Sequence, residues 1–328
     1  MRTTIFLFFT FLFPLFVKAQ TVPIGEWTDH LSYNNASSVA EGNGKVYCAG
    51  QGGVFVLNKN DNSLQRLSKL NGLSDVEPVV LNFNTYNNKV LIAYKNSNID
   101  IIEDKNIVNI SDLKRKQIIG NKTINNIYFI NQYAYLACGF GIVVIDMDRD
   151  EVKDTYYIGN NGAAVNVEDI TSDGTYMYAA TNNGIYKALL SSPNLADFTS
   201  WSVMPGLPTG TYNTIASYGG KIYTNYSNYL TTGITYRDTI YVYDNVSWNY
   251  YYPTASAYTT YMLKNKNNQL LIVREGSVST NNFYTSSYFS DVVRAKQATI
   301  DDANAEWMAD SKYGLVSWKS GVGFKSFY

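Results

Sequence analysis

Short apolar runs alternate along the chain with polar turns rich in glycine, asparagine and aspartate. The first clear unit has strand-like runs at 44–49 (GKVYCA), 52–57 (GGVFVL) and 64–67 (LQRL), with a polar turn at 58–63 before the last of them. Short runs bounded by turn-forming residues are typical of β-strands, whereas a helix needs a longer segment with a 3.6-residue rhythm. The pattern therefore predicts an all-β chain.

The unit recurs, and one position can be aligned through all copies. The aligned residues are Tyr47, Leu91, Tyr135, Tyr178, Tyr223, Leu271 and Trp307. Their spacing is about 44 residues, with a shorter last step, and a period of about 40–45 residues with four short strands per unit indicates a β-propeller. We therefore predict a single seven-bladed β-propeller of four-stranded antiparallel blades over residues 20–328. The run 323–328 is predicted to be its last strand, and the segment around Trp27 is predicted to close the ring.

The first residues have the features of a leader peptide. Arg2 supplies a positive charge, an apolar run follows at 5–17, and Val17 and Ala19 are small residues at the positions that a signal peptidase recognises. We expect a signal peptide at 1–19 with cleavage after Ala19. The remaining chain has no second long apolar run, so we expect no transmembrane segment in the mature protein.

Composition narrows the range of functions. The formal net charge is −1, so no long-range field draws the chain to nucleic acid. The two cysteines, Cys48 and Cys138, lie in strand-like runs of non-adjacent units, and we expect two buried free thiols. The domain must then be held together by its apolar core.

Residues for catalysis or metal binding are scarce. His30 is the only histidine, which leaves most nucleophilic triads and zinc sites incomplete. The acidic segment 146–151 departs from a calcium-binding loop, and we expect a polar turn between two strands there. Asp301 and Asp302, with Glu306, are expected to lie in a solvated loop. We predict no catalytic residue, no cofactor and no metal ion.

Tyrosine is the compositional outlier, with 29 residues, several of them clustered between 212 and 261. Aromatic faces with polar tips stack on sugar rings, although alternate tyrosines also pack between blades. The candidate ligand-binding residues are Trp248, Tyr250, Tyr251, Tyr252, Tyr258 and Tyr261.

The repeat and the opening segment together resemble a known family. The repeat GKVYCAG…GGVFVLN…LQRLSKLNGLSD is similar to that of two-component-regulator propellers. The opening WTDHLSYNN at 27–35 resembles the N-terminal propeller of PorZ-type proteins of the type IX secretion system of the Bacteroidota. The family usually carries a second propeller and a C-terminal sorting domain, and neither is found in this sequence.

The resemblance implies a function and a place. The expected function is that of a non-enzymatic binding and scaffold component of a type IX attachment complex, exported to the periplasm or the outer-membrane surface of a Gram-negative bacterium. Implied partners are a sortase-like transpeptidase, an outer-membrane β-barrel shuttle protein and lipopolysaccharide. Two alternatives stay open, a ligand-sensing propeller and a polysaccharide-acting propeller enzyme. A propeller fold by itself does not decide between them.

Overall fold

The structure is a computed structural model that describes residues 34–118, 120–227, 238–253, 259–281, 286–288 and 294–327. These residues form seven antiparallel sheets of four strands each, arranged as a ring of blades. Every blade consists of four consecutive strands in sequence order. The predicted seven-bladed β-propeller is therefore confirmed.

The strands of each blade run from the innermost to the outermost in chain order. Blades 1 to 4 comprise β1 (Ala36–Gly42), β2 (Lys45–Gly50), β3 (Gly53–Asn58) and β4 (Leu64–Leu67); β5 (Pro78–Asn84), β6 (Lys89–Tyr94), β7 (Ile99–Glu103) and β8 (Asn106–Ile110); β9 (Ile124–Ile130), β10 (Tyr133–Cys138), β11 (Gly141–Asp146) and β12 (Glu151–Tyr156); and β13 (Val167–Ser172), β14 (Tyr176–Thr181), β15 (Gly184–Leu189) and β16 (Trp201–Val203).

Blades 5 to 7 follow the same order. They comprise β17 (Tyr212–Tyr218), β18 (Lys221–Tyr226), β19 (Thr239–Tyr243) and β20 (Trp248–Pro253); β21 (Thr260–Lys266), β22 (Gln269–Arg274), β23 (Ser277–Thr280) and β24 (Ser286–Tyr288); and β25 (Ala295–Ile300), β26 (Glu306–Asp310), β27 (Gly314–Lys319) and β28 (Gly323–Phe327). A short helix, α1 (Asp112–Arg115), and two 3₁₀ turns at Asn160–Gly162 and Phe198–Ser200 lie in connections. No helix among the described residues is long and apolar enough to cross a membrane.

The asparagine- and glycine-rich segments between the apolar runs form the hairpin turns. Between β1 and β2, Asn43 and Gly44 have φ angles of 50° and 71°. Positive φ at both central residues matches the right-handed twist of the flanking strands, and asparagine and glycine adopt it at low cost. The repeated turn residues therefore set where each strand ends.

Each innermost strand carries a β-bulge next to its first residue. The extra residue of several bulges reaches the next blade. Ser37 donates to the carbonyl of Pro78 (3.4 Å), Asn125 to that of Val167 (2.7 Å) and Asn213 to that of Thr260 (2.7 Å). A bulge re-aims a side chain without breaking the sheet, so these residues tie neighbouring blades together at one end of the ring.

The core is divided among the interfaces between blades. Seven clusters of buried apolar side chains each combine two neighbouring blades. The cluster between blades 2 and 3 is dominated by isoleucine, leucine and valine, whereas the one between blades 4 and 5 is rich in tyrosine. A blade cannot bury both faces alone, so this stacking supplies the hydrophobic stabilisation of the ring.

Blades 7 and 1 meet through three kinds of contact. Val39 and Leu57 of blade 1 share an apolar cluster with Trp307 of blade 7. The amide of Gly314 in β27 donates to the carbonyl of Asn34 (2.8 Å). Lys59 lies 3.4 Å from the Asp301 carboxylate. The predicted closing segment around Trp27 lies outside the described residues, as does the predicted signal peptide at 1–19.

The structure confirms several predictions of local structure. The aligned residues from Tyr47 to Trp307 all lie in the second strand of their blade, and 323–327 forms the last strand. Cys48 and Cys138 are free and buried, and the acidic segment 146–151 forms the turn between β11 and β12.

One prediction was wrong: Asp301 and Glu306 are buried rather than solvated, with 3% and 5% exposure. Asp301 accepts hydrogen bonds from the Ala303 and Ala305 amides and from the Trp307 indole, so its carboxylate organises the connection between β25 and β26.

Candidate functional site

The innermost strands of all seven blades line a polar axial channel with a volume of about 510 Å³. The sequence repeat defines one level of its wall, because each aligned second-strand residue pairs with an innermost-strand residue. The residues at this level are Ala40, Asn82, Tyr128, Thr171, Ala216, Lys264 and Thr299. Five of these seven residues are polar, whereas Ala40 and Ala216 are apolar.

A second polar level lies two residues earlier and joins the blades. Ser38 donates to Gln297 (2.6 Å) across the ring closure and accepts from the Leu81 amide (3.0 Å). Thr214 accepts from the Leu263 amide (2.8 Å) in the same manner. Neighbouring blades belong to separate sheets and share no ladder of backbone hydrogen bonds. The side-chain hydrogen bonds at this level connect their innermost strands instead.

Asp169 is the centre of that level. Its carboxylate accepts four hydrogen bonds, from the Asn126 amide group (2.6 Å), the Ile170 backbone (2.8 Å), the Thr214 hydroxyl (3.0 Å) and the Ile215 backbone (2.9 Å). Burial raises the pKa of Asp169 to about 6, against the opposing effect of these donors. The residue links blades 3, 4 and 5.

The other acidic side chains of the wall are also paired. Glu41 forms ion pairs with Lys59 (2.7 Å) and Lys266 (3.5 Å). Asp173 accepts from the Tyr178 hydroxyl (2.7 Å) and from two backbone amides. These carboxylates therefore serve the architecture of the channel.

Lys264 differs from the other charged groups of the wall. It is half-buried in β21, and among the described residues no hydrogen bond or ion pair within 4 Å engages its ammonium group. Desolvation and the neighbouring charge of Lys266 lower the pKa of Lys264 to about 8. The negative charge of Asp169 acts in the opposite direction and raises this pKa, so Lys264 and Asp169 interact electrostatically across the channel.

The predicted aromatic candidates are divided between two interfaces. Trp248 lies 5.2 Å from the Tyr243 ring and packs against the cluster of blades 4 and 5. The Tyr250 ring lies 5.1 Å from the Tyr241 ring at an interplanar angle of 33°, but Tyr250 is 69% exposed. Tyr251 makes an edge contact with Tyr223 at 5.0 Å and packs against the cluster of blades 5 and 6.

The remaining candidates do not extend this surface within the described residues. Tyr261 is the extra residue of the blade 6 bulge and packs against the cluster of blades 6 and 7. Tyr252 has a described backbone in β20 but no described side chain, and Tyr258 lies outside the described residues. Of the candidates with a described side chain, Tyr250 offers the most accessible aromatic ring.

Sequence reasoning missed Asp169 and Lys264. Both residues lie in innermost strands that contain other polar residues, VEDITS and TYMLKNK, so hydropathy did not distinguish them from their neighbours. Within the described ranges, no group of three histidine, cysteine, aspartate or glutamate side chains is placed to hold a metal ion.

Comparison with protein families gives one match. Residues 46–202 match the model of the N-terminal β-propeller domain of PorZ, a type IX secretion protein. The matched segment runs from β2 to β16 and so contains most of blades 1 to 4. The resemblance predicted from the repeat and the opening segment is confirmed. A comparison with curated protein sequences finds no match.

Solved structures show the same fold. PorZ of Porphyromonas gingivalis, described as an essential bacterial surface component of the type IX secretion system, is 20% identical with a TM-score of 0.74; the similarity covers 90% of this chain and 38% of that one. An ancestral GH74 enzyme is 15% identical with a TM-score of 0.65, covering 89% and 46%. A chain of the mitotic checkpoint complex is 11% identical with a TM-score of 0.61, covering 90% and 91%.

Proposed function

We propose that this chain, whose propeller is similar to the N-terminal β-propeller of PorZ, is a non-enzymatic binding and scaffold component of a type IX secretion attachment complex. The observation that carries the proposal is the family match over residues 46–202. The fold alone would not carry it, because similar propellers occur in an enzyme and in a checkpoint complex. The chain spans about 38% of the length of the similar PorZ structure.

The hydrogen bonds and ion pairs of the channel carboxylates support a scaffold rather than an enzyme. Asp169 and Glu41 are buried in the channel wall, and their hydrogen bonds and ion pairs join blades. Asp173 is exposed but is engaged by the Tyr178 hydroxyl and two backbone amides of its own blade. A general acid or base needs a carboxyl group that is accessible to the substrate. These carboxylates are better suited to hold a rigid platform on which partners assemble.

The proposed place is the outer-membrane surface or periplasm of a Gram-negative bacterium, after export through the leader at 1–19. The proposed partners are a sortase-like transpeptidase, an outer-membrane β-barrel shuttle protein and lipopolysaccharide. The sugar-binding candidates are Trp248, Tyr250, Tyr251, Tyr252, Tyr258 and Tyr261. Tyr250 is the sharpest of them to test, because its exposed ring can be removed without opening the core.

The secretion role is tested by deletion of the gene in the source bacterium. Type IX cargo should then accumulate in the periplasm instead of at the cell surface, as measured by fractionation, and the intact gene should restore display. Normal surface display in the deletion strain would refute the proposal.

The lipopolysaccharide contact is tested separately with purified protein and vesicles that contain lipopolysaccharide of the source bacterium. Tyr250→Ala should weaken binding severalfold, since one stacked aromatic contributes about 1 kcal/mol. The matched control is Tyr86→Ala, because Tyr86 is also an exposed tyrosine (60%) but lies in blade 2. Equal affinity of the two variants and the unaltered protein would exclude Tyr250 from the contact and leave the secretion role standing.

A further inference from the structure

A second cavity, with a volume of about 530 Å³, lies outside the axial channel between blades 1 and 2. One side is the face of blade 1 on which Tyr47, Val56 and Gln65 pair in one row across β2, β3 and β4. The other side is the β7–β8 hairpin of blade 2, where Ile102 pairs with Ile107. The cavity is therefore built by two blades, and its shape depends on how they stack.

The floor of the cavity is apolar. Val56, Leu67 and Ile102 belong to the core cluster of blades 1 and 2, but each keeps some of its surface exposed (7%, 8% and 7%). Ile107 is half-buried and packs against the same cluster. Covering apolar surface in a concave site is favourable, so this floor suits a ligand with an apolar body.

Tyr47 adds one polar group to this floor. Its ring stacks on Phe83 with a centroid distance of 6.0 Å, and only 7% of the residue is exposed. Its hydroxyl has no hydrogen-bond partner among the described residues, and its oxygen is not fully enclosed by protein atoms. Burial, with the nearby charge of Asp104, raises the pKa of Tyr47 to about 12, so the hydroxyl keeps its proton. A nearly buried donor thus lacks an acceptor, which a ligand in the cavity can supply.

The rim of the cavity is polar and carries a net positive charge. It is formed by Lys45, Gln65, Asp104 and Lys105, and the two lysines against one aspartate leave a charge of +1. Lys45 lies on the same face of β2 as the phenol group, two residues away. Within the described parts of the chain, no ion pair or hydrogen bond engages either lysine. Asn71, which also lines the cavity, is already held by hydrogen bonds in its own turn.

We propose that this inter-blade cavity binds an amphipathic monoanion, namely an N-acylated aromatic or branched aliphatic amino acid with a free carboxylate, either as a small molecule or as the C-terminal residue of a peptide. The apolar side chain covers the floor, the Tyr47 hydroxyl donates to the carboxylate, and Lys45 and Lys105 supply the counter-charge. The rim charge of +1 matches a monoanion, and the apolar floor disfavours a strongly hydrated dianion such as phosphate.

The test is calorimetric titration of the purified protein at pH 7 with N-acetylphenylalanine, its carboxamide and N-acetylglycine. The carboxamide lacks the charge and N-acetylglycine lacks the apolar body, so both should bind at least about tenfold more weakly than the acid. An acetylated tripeptide that ends in phenylalanine with a free carboxylate identifies the source of the ligand. Tighter binding of the tripeptide than of the single residue supports a peptide terminus, and weaker binding supports a free acid.

Two variants test the assigned groups. Tyr47→Phe removes only the hydroxyl and should weaken the acid by about fivefold. The double variant Lys45→Gln/Lys105→Gln should remove most of the preference for the acid over its carboxamide. The matched controls are Tyr135→Phe, at the aligned position of blade 3 with the same 7% exposure, and Lys319→Gln, at an exposed lysine of β27. Neither control residue lines this cavity, and both variants should bind as the unaltered protein does.

Other results overturn the proposal. These are no heat from the acid up to about 10 mM, equal binding of the acid and its carboxamide, or unchanged affinity in both test variants. If Tyr47→Phe does not fold, the lysine variant decides, because it changes only the rim. A failed titration leaves the secretion role untouched, since that role is read from cargo display.

Discussion

Two charged residues on opposite sides of the axial channel differ in their hydrogen bonding. On the side of blades 3 to 5, Asp169 receives four hydrogen bonds from three blades. On the blade 6 side, Lys264 has no hydrogen bond or ion pair among the described residues. Asp169 is buried and Lys264 is half-buried in the same wall, and Asp169 joins elements of the fold by hydrogen bonds whereas Lys264 does not.

This difference predicts opposite effects on stability when each charge is removed. A buried charge that satisfies donors from several elements stabilises the fold in that arrangement, and its removal leaves those donors unpaired. A buried charge without partners lowers stability, so its removal should stabilise the protein. Stability measurements on variants therefore distinguish the two cases.

The largest effect is expected for Asp169→Leu. The substitution leaves two backbone amides and two side-chain donors without an acceptor in a buried site, which should lower the free energy of unfolding by about 4 kcal/mol. Urea denaturation measures it. Asp61→Leu is the control, because the Asp61 carboxylate bonds only in an exposed turn, and it should leave the free energy of unfolding nearly unchanged. Equal losses would remove the distinction between the two sites.

Glu306→Gln extends the comparison to a buried carboxyl group without a partner. Burial raises the pKa of Glu306 from 4.5 to about 7, and its Oε2 atom has no hydrogen bond within the described structure. The native state then holds a proton that the unfolded state has lost, so stability falls as the pH rises from about 4.5 to 7. Glu306→Gln should add about 2 kcal/mol at pH 8 and little at pH 4.5.

Urea denaturation at the two pH values checks this prediction, with the exposed Glu151→Gln as control. A gain that is the same at both pH values would contradict the assigned cause, and so would an absence of gain at pH 8.

A smaller gain is expected for Lys264→Met. The native pKa of about 8 lies below the ordinary 10.5, so the unfolded state binds the proton more tightly between these values. Stability should therefore rise from pH 8 to 10.5 in the unaltered protein. The substitution should add about 1 kcal/mol at pH 7, after allowance for screening by water in the channel, and should flatten this rise. Thermal unfolding across this pH range measures it; destabilisation at pH 7 would show a structural role.

The smallest effect on stability is expected outside the channel, for Tyr250→Ala. Its ring is 69% exposed, so the free energy of unfolding should fall by no more than about 0.5 kcal/mol. Urea denaturation of this variant beside Tyr86→Ala should give similar values. A loss above about 2 kcal/mol would place Tyr250 in the blade interface and make it unsuitable as a surface probe.

The sequence was sufficient for the architecture but not for the site. The residues from Tyr47 to Trp307 mark seven blades because their period reflects a repeated local structure of four strands. The buried positions of Asp301 and Glu306 were missed, since two acidic residues beside an alanine-asparagine turn are as compatible with a solvated loop. The sequence also did not separate the aromatic residues of β20. Side chains alternate between the two faces of this strand and a bulge interrupts it, so Trp248 packs between blades 4 and 5 and Tyr251 between blades 5 and 6.

The sequence by itself determined the strands, the turns, the number of blades and the resemblance to the PorZ propeller, because each depends on patterns within about 44 residues of chain. Only the tertiary structure decided that Asp169 meets Thr214 and Ile215 of the next blade, that Glu41 reaches Lys266 past an intervening blade, and that Lys264 remains unpaired in the described channel. The physical reason is that closure of the ring sets distances between residues far apart in sequence, and the pairing of a charge depends on those distances.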